Sequence, residues 1–79
     1  MQDIGITALT RQTVTVVELA QSNLSDKQNH KLAVLMLSVA NQWIRAYKLG
    51  LCTWTVAKNN AVMLDELSCV VDENLGAEA

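Results

Sequence analysis

The sequence predicts an all-α fold: a three-helix bundle, or a helical hairpin with a third helix, completed by homodimerisation. Three observations carry that reading. The 79 residues include no Pro and three Gly, so little interrupts a helix. Apolar residues recur at steps of three and four in three separate stretches. Two of those stretches open on a capping residue and close on a glycine. The reason for a second copy is compositional. A chain of this size buries only roughly 60–65% of the surface its unfolded form exposes. Apolar residues make up 51% of it and charged residues 18%, where about 25% charged is usual.

The first helix is expected over about 6–23. Ile6, Leu9, Thr13, Val16 and Ala20 form one stripe. The segments QTVTVV (12–17) and LCTWTV (51–56) also alternate as strands do, and both are rich in β-branched residues. A small α+β fold with a short two-stranded pair at 12–17 and 51–56 is therefore the alternative. Helix is preferred, because the stripe continues through ELAQ and an isolated two-stranded pair is marginal.

The second helix is expected over 26–49. Ser25 can cap it, Gln28 completes a capping box, and Gly50 suits the C′ position. Within it, LAVLMLSVA (32–40) has eight apolar residues in nine. That is too short for a bilayer span, which needs ~20 residues. Lys31, Ser38, Asn41, Arg45 and Lys48 fall on one polar stripe, and Val34 stands where a polar residue belongs. A helix apolar on its remaining sides needs cover beyond what two neighbours supply.

The third helix is expected over 54–75, between Thr53 as cap and Gly76 as terminator. Its stripe is Trp54, Ala57, Ala61, Leu64, Ser68, Val71 and Leu75. Small Ala57, Ala61 and Ser68 would let a neighbouring helix approach closely, and the seven-residue spacing has coiled-coil character. Asp72 and Glu73 fall at its C-terminal end, where the helix dipole disfavours anions. Basic groups from the second helix or another subunit would relieve them. The whole chain, 1–79, reads as a single helical domain with a frayed tail.

Charge is segregated. Five basic residues and no acid lie between Lys27 and Lys58, and five acids and no base follow from Asn59 onward. The net charge is only −2. The N-terminal MQDIGITALTRQ lacks the basic and apolar regions of a secretory signal, so a cytoplasmic location is expected. Cys52 and Cys69 are 17 residues apart. On one helix that is about 25 Å, too far for an intrachain disulfide.

No catalytic constellation is evident, and no enzyme is expected. His30, the one histidine, sits in the polar segment DKQNHK and reads as exposed. There is no CxxC, HxxxH or HExxH spacing for a metal, no glycine-rich phosphate loop, and no cofactor is expected. The pairs Asp65–Glu66 and Asp72–Glu73 diverge around a helix and read as solvated.

Function is therefore sought in contact. The expected role is a regulator, inhibitor or adaptor of a larger protein, with itself and an unidentified protein as partners. The contact candidates are Val34, Leu37, Trp43, Ile44 and Tyr47, with the aromatics as anchors. Self-association is expected through the second and third helices. One alternative is a helical chaperone that shields a partner's amphipathic helix. Another is a small dimeric nucleic-acid-binding regulator using the basic patch of Arg45 and Lys48. Six basic residues and a sequence pI near 5.1 disfavour that last reading.

Overall fold

The computed structural model describes residues 3–72 and is all-helical, with no strand among the described residues. The helices are α1 (Asp3–Ala20), α2 (Asp26–Lys48) and α3 (Trp54–Val71). The suggested strand pair does not form: 12–17 lies inside α1, and 51–56 divides between a turn and the start of α3. The hydroxyls of the β-branched run are absorbed by the helix itself. Thr13 Oγ1 donates to the Leu9 carbonyl at 2.8 Å and Thr15 Oγ1 to the Arg11 carbonyl at 2.9 Å.

The α1 helix ends three residues before the expected position. Gln21 N–H donates to Glu18 O and Ser22 N–H to Leu19 O, so the last turn tightens as it enters the turn-forming Ser22–Asn23. The α2 helix opens on the expected capping box. Ser25 Oγ accepts from Gln28 N–H at 3.2 Å, and Gln28 Oε1 accepts from Ser25 N–H at 3.0 Å. It closes in a Schellman turn. Gly50 takes φ 79°, Leu51 N–H reaches the Ala46 carbonyl and Gly50 N–H the Tyr47 carbonyl, both at 2.9 Å. Thr53 Oγ1 then caps α3 through Val56 N–H at 3.3 Å. The last residue of α3 is Val71; Asp72 follows in extended geometry. Glu73, Leu75 and Gly76, by which a longer helix was expected, lie outside the described residues.

The core is built around α2, which packs on both α1 and α3, and most extensively on α3. Ala33, Met36, Val39 and Trp43 point inward from it; Leu9, Thr13 and Val16 meet them from α1, and Ala57, Leu64 and Ser68 from α3. The fully buried Ala57 and Ser68 are small, which lets the α2 and α3 backbones approach, as expected from the sequence. Trp43 Nε1–H donates to Thr13 Oγ1 at 2.8 Å, so the two polar groups between α1 and α2 satisfy each other. The Ser68 hydroxyl is satisfied within α3 by the Asp65 carbonyl at 2.6 Å.

Candidate protein-contact surfaces

The five contact candidates separate into three environments. Leu37 and Ile44, one side of α2 seven residues apart, are half-buried. Together with Ala40, Ala61, Val62 and Asp65 they line a shallow groove of ≈ 400 Å³ between α2 and α3. Tyr47 continues that side of α2 by one turn, and its ring lies 5.1 Å from that of Trp54 at an interplanar angle of 59°. Val34 is 50% exposed on the outer stripe of α2, as expected.

Trp43 does not belong with them. It is 3% exposed and hydrogen-bonded to Thr13, so it is a core residue and cannot anchor a partner from within this fold. The aromatic at the surface is Trp54, which was assigned to the core stripe of the third helix and is 48% exposed. It is the first residue of α3, beside the turn where α2 ends, and the Tyr47 ring packs against it. The reassignment exchanges one tryptophan for the other and leaves an aromatic anchor at the surface.

Arg45 and Lys48 are both exposed, and with Lys27 and Lys31 they make the two ends of the outer stripe of α2 basic, with Val34, Ser38 and Asn41 between them. Arg45 borders a cleft beside Gln42, Leu49 and Leu51, on the α1 side of α2. Of the two aromatics beside Arg45 in sequence, Trp43 is buried and Tyr47 is exposed, its ring tilted against Trp54.

His30 is exposed but not idle. Its Nδ1 is paired with Oδ2 of Asp72, a carboxylate that is itself buried. The pair ties the first turns of α2 to the end of α3, across 42 residues of sequence. The contact gives the carboxylate at the α3 terminus a partner from the second helix. Cys52 is half-buried, Cys69 is exposed, and both are free thiols. Among the described residues no three His, Cys, Asp or Glu side chains converge to hold a metal ion.

Sequence reasoning missed a second surface. Between α1 and α3 a groove of ≈ 460 Å³ is walled by Val14 and Val17 on one side and Val56 and Met63 on the other, with Trp43 at its floor. The signal that points to it is the seven-residue repeat of Val56, Met63 and Val70. No protein-family model matches the chain, and no characterised protein or solved structure is significantly similar to it.

Proposed function

We propose that the protein is a small, non-catalytic helical module of the cytoplasm that acts by protein–protein contact, as a regulator, inhibitor or adaptor of a larger protein. The observation that carries the reading is the exposed Tyr47–Trp54 ring pair, with Tyr47 one helical turn beyond Ile44 of the Leu37–Ile44–Val62 groove. Tyr and Trp are the residues that most often dominate interface energetics, because each brings a large apolar area with few rotatable bonds. A monomer gains little by holding both rings in water. The groove beside them is of a size to take the apolar side chains of one amphipathic helix. Lys48 adjoins Tyr47, and Lys58 lies one turn beyond Trp54, so the partner segment is one with acidic residues flanking its apolar face. Among the described residues, no helix is long and apolar enough to cross a membrane.

The test is a comparison of captured proteins. Tagged wild-type protein, expressed in its native host, should retain a defined partner that Trp54→Ala and Ile44→Glu lose while keeping their helical circular dichroism. A partner retained equally by both variants places the contact elsewhere.

A further inference from the structure

The groove between α1 and α3 has a distinct character. The two helices each pack on α2 and touch one another far less, so their facing sides are left partly open. Val14, Val56 and Met63 are exposed there, and Val70, seven residues beyond Met63, is 75% exposed. Along α3 the order Val56, Asn60, Met63, Leu67, Val70 alternates steps of four and three. That is the a/d seam of a helix that pairs with another. Meanwhile α3 already meets α2 through a different stripe, Ala57, Leu64 and Ser68. Val56, Met63 and Val70 are therefore additional to what the monomer's core uses, while Leu67 is half-buried against it. The amide of Asn60, the polar member, donates to the Val56 carbonyl at 2.8 Å, which satisfies one of its two N–H donors.

We propose that a second copy of this chain covers this face, antiparallel, about a twofold axis passing by Val14 and Met63. An isologous dimer needs a face that is complementary to itself, and the charges meet that condition. Arg11 lies three residues before Val14 and Glu18 four after it, on the outer side of α1. Antiparallel packing of α1 on its copy sets Arg11 against Glu18 of the partner subunit, twice per dimer. On α3, Asn59 and Glu66 flank Met63 in the same manner, so each Glu66 meets an amide and not a carboxylate. Parallel packing would lay α1 on α3 of the partner subunit and bring Glu18 toward Glu66 of the partner subunit, acid beside acid. Arg11 also borders the α1–α2 cleft, so its pairing takes a rotamer change. Such exposed pairs stabilise little but select orientation. The contact is distinct from the aromatic-ended groove, which stays open in the dimer.

Sedimentation equilibrium of the full chain tests this. At about 100 μM, enough to populate any dimer of micromolar affinity, the wild type should show twice the 8.7 kDa chain mass. Met63→Glu should weaken association by about 100-fold or more, because each dimer would bury two unpaired carboxylates. Val62→Glu, on the α2 side of α3, should leave it intact. Arg11→Glu should weaken association, and adding Glu18→Arg should restore it by reversing both pairs. A wild-type monomer overturns the proposal, as does a dimer broken by Val62→Glu and not by Met63→Glu. A double charge reversal no better than Arg11→Glu alone overturns the antiparallel arrangement. Should Met63→Glu fail to fold, Val70→Glu at the more exposed end of the seam reads the same contact.

Discussion

Replacing Thr13 with Val isolates one hydrogen bond in the core. The two side chains have nearly the same shape, and the backbone at residue 13 is helical, which Val tolerates. Thr13 and Trp43 are both buried, and the indole N–H has Thr13 Oγ1 at 2.8 Å as its acceptor. The substitution also removes the bond from Thr13 Oγ1 to the Leu9 carbonyl, but in a helix that oxygen keeps its main-chain partner. The loss therefore falls on a buried donor left without a partner, which costs about 1–3 kcal/mol. A domain of this size shifts in Tm by about 4–8 °C per kcal/mol. Against a total stability of about 5–15 kcal/mol the effect is easily read. The assay is urea unfolding followed by circular dichroism, for Thr13→Val, Trp43→Phe and the double variant. In the Trp43→Phe background the donor is absent, so Thr13→Val should cost little, and the two changes should couple by about 1 kcal/mol or more. A Thr13→Val penalty below about 0.5 kcal/mol, or one unchanged in the Trp43→Phe background, would refute the argument.

Three further expectations concern the backbone and the clasp at the end of α3. Gly50→Ala should destabilise by about 1 kcal/mol in the same unfolding assay; its Cβ meets nothing within 4 Å, so the penalty is the φ of 79° alone. Gly5→Ala, inside α1 with only Leu51 Cδ1 at 3.7 Å, should instead stabilise by up to about 1 kcal/mol. His30→Ala should cost about 1–2 kcal/mol by removing a hydrogen-bond partner from buried Asp72. Amide exchange should accelerate first in the last turn of α3; equal acceleration throughout the protein would show that the pair does not hold that end.

The parts legible in the sequence were those set by neighbours in the chain. The capping box of Ser25 and Gln28, the Gly50 terminator and the Thr53 cap all act within four residues, and each stands where the spacing places it. The stripe of Leu9, Thr13 and Val16 was equally readable, since burial of one helix face is written in its period. Three things were not. Which tryptophan is inside depends on what stands opposite: Trp43 faces α1 from within α2, whereas Trp54 begins a helix beside a turn. The pairing of His30 with Asp72 joins residues too distant for any local pattern to register. The α1–α3 groove arises because α3 has two apolar stripes, and the order in which helices pack decides which is used first. Of the contact candidates, Leu37, Ile44 and Tyr47 were found together because they share one side of α2, while the partner stripe of Trp54 and Val62 comes from another helix.

The clasp has a consequence for how the molecule opens. The α2–α3 hairpin is closed at one end by the Schellman turn and the Thr53 cap, and at the other by His30 and Asp72. It also holds the more extensive helix–helix contact. The α1 helix is held by a narrower apolar seam and, among the described residues, by the one side-chain hydrogen bond from Trp43 of another helix. The least costly partial unfolding therefore releases α1 and leaves the hairpin standing, a sub-global opening below the free energy of complete unfolding. An opened molecule of that kind presents Met36, Val39 and Trp43 as a vacant cradle of one helix's length. The α1 of a neighbouring molecule fits it as well as its own, so slow exchange of α1 between chains is a hazard built into the architecture at high concentration.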